Sequence, residues 1–302
     1  MILTSPAIKL KPLDAAQIEA RVRSCARLPS LSSVNSALRE LLHADQRYTS
    51  QVAEVIRRDP SLTARILRLV NSVYYGFNGS INTIEEAVFF LGVRQIRQLA
   101  MVTPIIEDFQ KLVGTAQFRW REFWQHCIGT ALLTREIMSI VENSTDEVDY
   151  VAGLVHDVGK IVMAAGFPDY FSAIYSRVED GAKDLLEEET VLLGINHADL
   201  GALYLKHHNL PEVMVEAARY HHEPELCVNH QQVVAAVQIA DLLVREAKIK
   251  GNEDEPPAEE LWLTASGWKI LCPNAGESER KIIHASLKRS MDRLPTILEG
   301  LV

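Results

Sequence analysis

Cysteine is scarce in this 302-residue chain: Cys25, Cys127, Cys227 and Cys272 stand far apart and include no CxxC pair. A disulfide framework is not expected, and the pattern fits a reducing compartment. Long apolar runs are missing too, since none reaches the ~18–20 residues that a membrane span needs. The opening MILTSPAIKLKPLD lacks the layout of a signal peptide, so a cytoplasmic protein with no membrane partner is expected. Positive charge is not in excess either. With 31 Lys and Arg against 40 Asp and Glu, net charge −9, the chain lacks the field of a protein that coats nucleic acid. Nor does it carry a P-loop, a GxGxxG or a nucleophile elbow, so nucleotide-fold and acyl-transfer chemistry have no support. Internal repeats and low-complexity tracts are absent, and strictly alternating strand patterns nearly so.

Helical periodicity is what remains. In PSLTARILRLVNS, Leu62, Ile66, Leu69 and Val70 recur at three- and four-residue steps, with Asp59 and Pro60 as a helix start. Thr83 and Glu86 form a capping box for TIEEAVFFLG, which stops at Gly92. One helix is expected across 118–141 and another, unbroken, across DYVAGLVHDVGKIVMAA. More should cover KDLLEEETVLLG, HADLGALYLKHH, PEVMVEAARYHH and QQVVAAVQIADLLVREA, with a short helical closing region over 261–302. Segment 250–260, charged and with two prolines, reads as a solvated loop. The fold class is all-α.

Histidines and carboxylates carry the chemical signal. Glu122 and His126 are four apart and share a helix face. His156 and Asp157 are adjacent in an otherwise apolar stretch, where a carboxylate needs a partner. His197, the adjacent His221 and His222, and Asp241 follow. One His on an apolar helix is more often a satisfied core residue than a ligand. The ordered series is different, because imidazole and carboxylate without thiolate are ligands for divalent transition metals. His207 and His208 close a helix, where polar or cationic groups suit the terminus, and His43, His230 and His284 read as surface residues.

The series resembles that of the HD superfamily of metal-dependent phosphohydrolases, named for the pair seen here as His156-Asp157. RRDPSLTARILRLVNSVYYG followed by INTIEEAVFFLGVRQIRQLA is similar to the signature of HDOD domains, the HD-related output domains of bacterial signalling. The match continues through FWQHC, GLVHDVGKIVM, NHADLGALYL, LPEVMVEAARYHHEP and IADLL, from about residue 20 to 245. This resemblance implies a helical N-terminal subdomain, 1–115, packed on an HD-like helical subdomain with a C-terminal extension, 116–302. It also implies a regulatory role in signal transduction, usually without demonstrated catalysis. HDOD domains tend to lose part of the HD ligand set, whereas here the order is closer to that of HD-GYP phosphodiesterases.

By that likeness Glu122, His126, His156, Asp157, His197, His221, His222 and Asp241 match metal ligands, and Lys160 matches a lysine that contacts substrate phosphate. The implied cofactor is two divalent ions, iron or manganese by preference, with zinc and nickel also suited to these ligands. In the enzymatic alternative, a phosphohydrolase or phosphodiesterase acting on a nucleotide or cyclic dinucleotide, Asp157 and Lys160 are the catalytic residues. However, HHEPELCVNHQQV lacks the Gly-Tyr-Pro loop that should follow the HH pair.

Charge divides the chain unevenly. Residues 1–121 hold 16 Lys and Arg against 10 Asp and Glu, net +6; residues 122–302 hold 15 against 30, net −15. A signalling protein partner or a nucleotide is expected to meet the basic half. There Asn71, Ser72, Tyr75 and Gly76 are candidates for a turn and Arg94 and Arg97 for an acidic partner.

Overall fold

The structure is a computed structural model describing residues 10–25, 118–141, 148–179, 184–247 and 261–299, with short runs and single positions between 53 and 96. Among them there is no strand, and no single helix is long and apolar enough to cross a membrane. The 115/116 boundary, the start at Asp59 and Pro60, the periodic Leu62, Ile66, Leu69 and Val70, the turn candidates Asn71 to Gly76, Arg94, Arg97, His43 and the loop 250–260 lie outside the described residues. Thr83 and Glu86 do form the expected box: the Glu86 amide donates to Thr83 Oγ1 at 3.1 Å and the Thr83 amide to Glu86 Oε2 at 3.3 Å. Gly92 has φ +81, the left-handed value that a glycine adopts at little cost.

The centre of the molecule is α2 (Trp120–Val141), a helix apolar on most of its surface. Phe123, Trp124, Cys127, Ile128, Ala131, Leu133, Ile137 and Met138 are all buried, as expected of a helix enclosed by others. Around it pack α3 (Val148–Val155), α9 (Gln231–Glu246) and α12 (Glu277–Glu299). A buried Arg135–Asp149 pair at 3.3 Å ties α2 to α3. Close approach is possible because Gly153 has no side chain: a Cβ there would sit 2.8 Å from the Ala131 Cα.

The remaining helices are α4 (Val158–Gly166), α5 (Pro168–Glu179), α6 (Leu185–Leu193), α7 (His197–His207), α8 (Glu212–Tyr220), α10 (Leu261–Thr264) and α11 (Ser266–Leu271). The caps follow the sequence. Asp184 accepts from two amides at the start of α6, and Asn196 accepts from the Asp199 amide at the start of α7. The N-terminal strap and α1 (Ala15–Ser24) lie against α4 and α7. The Leu13 amide donates to the Leu193 carbonyl at 2.9 Å, and the Tyr170 hydroxyl donates to the Lys11 carbonyl at 2.8 Å. Gly194 completes this seat with φ +97, and a Cβ there would meet the Leu13 oxygen at 2.6 Å.

Two expectations are corrected. The stretch 149–165 is not one helix; it breaks at His156 and Asp157, and Asp157 sits at φ −95, ψ 12 in the sparsely populated bridge region. His230 and His284 are half-buried rather than surface residues: the His230 amide donates to Glu216 Oε2 at 3.0 Å, and the His284 ring stacks on Trp262 with centroids 4.3 Å apart.

Candidate metal centre

The helix break gives the His-Asp pair its geometry. His156 and Asp157 leave the end of α3 and the start of α4 toward a point where α2, α7, α9 and the end of α8 converge. Seven of the eight expected ligands meet there. On one side His126 Nε2 lies 3.2 Å from His156 Nε2 and 3.0 Å from Asp241 Oδ1. Asp157 Oδ2 completes this group, 3.5 Å from His126 and 3.4 Å from His156. On the other side His197 Nε2 lies 3.1 Å from His222 Nε2, with His221 beside them. Asp157 Oδ1 faces this second group, 3.3 Å from His197 Nε2 and 3.6 Å from His221 Nε2. One carboxylate thus addresses two clusters, one with each oxygen.

Glu122 stands in neither group. Four residues along a helix return to the same face but rise about 6 Å, which leaves Glu122 half-buried one turn away from His126. Lys160, one turn into α4, puts its ammonium 2.8 Å from Asp157 Oδ2 and is 1% exposed.

The donor set can be tested for a cation without appeal to likeness. His156 Nδ1 donates to the Gly153 carbonyl at 2.7 Å and His221 Nδ1 to the Ala218 carbonyl at 2.9 Å. Carbonyls only accept, so Nδ1 carries a proton in each ring, and the neutral form of the ring turns an Nε2 lone pair into the site. His221 Nε2 and Asp157 Oδ1 have no hydrogen-bond partner although both are buried. Two ligand atoms about 2.1 Å from one ion lie roughly 3.0–3.4 Å apart; neighbouring donor atoms lie 3.0–3.9 Å apart in the first group and 3.1–3.6 Å in the second, close to that spacing. Lone pairs and carboxylate oxygens converging in a buried space fit a cation at each position.

Electrostatics agree. Burial opposes the charged form of Asp157, but the Lys160 ammonium and the neighbouring imidazoles outweigh it and hold the carboxyl well below its usual range. Arg245 does the same for Asp241 against burial, through contacts of 3.1 and 2.9 Å. For His197, burial disfavours the imidazolium, yet the Glu189 carboxylate prevails and raises the ring to about 9. Burial, with His222 and His156 next to it, pushes His221 well below the usual value.

Glu189 and Arg245 are supporting residues that the sequence reading did not single out. Glu189 Oε2 accepts both the backbone amide and the Nδ1–H of His197, at 2.7 and 2.8 Å, and so sets the ring's orientation. Its signal was a carboxylate on the apolar face of α6, hidden by Glu187 and Glu188 beside it.

The HDOD domain model matches residues 28–224. A Treponema pallidum (strain Nichols) protein of uncharacterised function is 25% identical over 241 residues, which is 76% of this chain and 44% of that protein. The chain therefore spans less than half the length of this relative. Three solved structures share the fold. An HDOD domain protein of unknown function from Geobacter sulfurreducens has a TM-score of 0.77 at 23% identity, covering 96% of this chain and 99% of that one. A proposed signal transduction protein from Marinobacter aquaeolei VT8 has a TM-score of 0.73 at 18% identity, covering 95% and 65%. A proposed phosphohydrolase from Shewanella amazonensis SB2B has a TM-score of 0.69 at 21% identity, covering 95% and 98%.

Proposed function

The chain belongs to the HDOD domain family, and on that premise we propose that it is a signal-transduction protein whose HD-type site holds two divalent transition-metal ions. The observation that carries this reading is the divided Asp157 carboxylate, with Oδ2 toward His126 and His156, beside which Asp241 lies, and Oδ1 toward His197 and His221, beside which His222 lies. Mixed imidazole and carboxylate ligation suits iron or manganese, and zinc or nickel would be chemically acceptable. When bound, such a pair supplies positive charge and Lewis acidity to the site.

Burial favours regulation over turnover. His126, His156, Asp157, His197, His221 and Asp241 are each at most 3% exposed, and His222 alone of the seven is half-buried. Lys160, which would contact a substrate phosphate, has its ammonium on Asp157 instead. The partner is a signalling protein or a nucleotide, met by the basic residues of the first 121.

The alternative, hydrolysis of a nucleotide or cyclic dinucleotide phosphoester, draws on the same pair of adjoining cation positions, a layout suited to activating water. One set of measurements decides between them. Metal content of the purified chain should give two ions, and Fe²⁺, Mn²⁺ or Zn²⁺ should raise the melting temperature of metal-stripped protein. No uptake and no shift would remove the metal site. Given uptake, the loaded chain is assayed on a generic phosphodiester, phosphomonoesters and cyclic dinucleotides. No turnover supports the signalling reading, and turnover lost in Asp157→Ala supports the enzyme.

A further inference from the structure

Gln238 is a neutral, nearly buried amide on α9, 8% exposed, with every polar group engaged. Its Nε2 donates to the backbone carbonyl of His222 at 2.8 Å. Its Oε1 accepts from the Gly267 amide at 2.8 Å and from the Ser266 hydroxyl at 3.3 Å, both at the start of α11. Gln238 also precedes Asp241 by three residues, so one face of α9 presents a candidate ligand and this tie.

The α11 end of the tie is built for close approach. A Cβ at Gly267 would lie 2.8 Å from the Ala235 carbonyl oxygen and 3.0 Å from Gln238 Oε1, so a side chain there lifts α11 off α9. Trp268 beside it is fully buried and anchors the helix. At the other end, the His221-His222 pair lies past the last residue of α8. His221 caps that helix in helical conformation, but the carbonyls at its end have no partner in the ladder and need outside ones.

We propose that Gln238 is a positioning residue that ties the His221-His222 backbone to the docked C-terminal segment, making the cation position at His197, His221 and His222 depend on the seating of α11. This rests on the two-ion reading above. The position at His126, His156 and Asp241 does not share the dependence, because its ligands leave α2, α9 and the α3–α4 break without contact to Gln238's amide.

Gln238→Met keeps the size and removes all three hydrogen bonds; Gly267→Val acts from the far side and alters no residue near a ligand. Each full-length variant is titrated with Mn²⁺ after metal stripping, and its histidine ring signals are recorded by ¹⁵N NMR without metal. The expected result in both is one ion weakened about 10–100-fold and the other unchanged, with the His197, His221 and His222 signals moved and those of His126 and His156 in place. Equal weakening of both ions with all five signals moved would make Gln238 merely structural and overturn the proposal. So would unchanged signals, or an effect of Gln238→Met that Gly267→Val does not reproduce. If the parent chain takes up no Mn²⁺, the two-ion reading fails, and the ring signals still decide the role of Gln238.

Discussion

The two candidate cation positions share Asp157 yet are built differently. His126 and Asp241 come from the interiors of α2 and α9, long helices packed along each other, and His126 Nδ1 has no hydrogen-bond partner. Packing sets the place of His126, while Arg245 adds two contacts to Asp241. His197 is the first residue of α7, and His221 and His222 follow the end of α8. There, polar ties set the geometry: Glu189 on His197, the Ala218 carbonyl on His221 Nδ1 and Gln238 on the His222 carbonyl. A packed core resists small displacements, whereas helix ends move at the cost of a few hydrogen bonds. The first position is the rigid one and the second the adjustable one.

The largest effect should come from the residue the two positions share. Asp157→Ala removes an oxygen from both, takes a carboxylate away from the buried Lys160 ammonium, and should cost about 3–5 kcal/mol. Urea unfolding of the metal-free protein measures this, and metal content should fall at both positions; a variant that keeps either ion would show that the positions are separate. Next is Gly159→Ala. A Cβ there would lie 1.8 Å from the His197 carbonyl oxygen, forcing α4 and α7 apart at a cost of about 1–3 kcal/mol or more, with His197 displaced and His126 left in place.

Glu189→Gln should be milder. It retains an acceptor and loses the charge, so Mn²⁺ affinity at the second position should drop about 10–100-fold while the first is unaffected. The smallest signal is in pH. The His197 pKa rises on folding from 6.5 to about 9, so its stabilisation of the metal-free chain is full below 6.5 and lost as pH climbs through 9. The melting temperature in chelator should decline over that window. Mn²⁺-loaded protein should lack the decline, since the ion replaces the proton, and so should Glu189→Gln. Asp157 and Asp241, depressed by their cations, act with the reverse sign: their contribution holds above the usual carboxylate range and is lost as pH falls.

The helices and the residues that converge at the candidate site were mostly legible because each leaves a periodic or chemical mark. His126, His156, His197 and Asp241 are polar residues at positions where the pattern calls for apolar ones. Glu122 misled because a shared helix face says nothing about the rise along the axis. The break at His156-Asp157 was hidden by its apolar flanks, AGLV and VGKIVM, which read as one continuous helix. It follows from packing, since Gly159 must seat on the His197 carbonyl. Gln238 was out of reach altogether, because a neutral amide becomes informative only once the groups it joins are known.

The glycine crossing of α4 and α7 has one further consequence. Gly159 and Gly201 face each other: a Cβ on Gly159 would be 2.8 Å from the Gly201 nitrogen, and one on Gly201 would be 2.9 Å from the Gly159 nitrogen. Both partners already have the smallest side chain there is, so neither can shrink to accommodate growth in the other. At Gly159 the nearest atoms are all backbone, the His197 carbonyl group and the Gly201 nitrogen, so no neighbouring side chain can be trimmed to make room, and only reversion directly restores the spacing between Asp157 and His197.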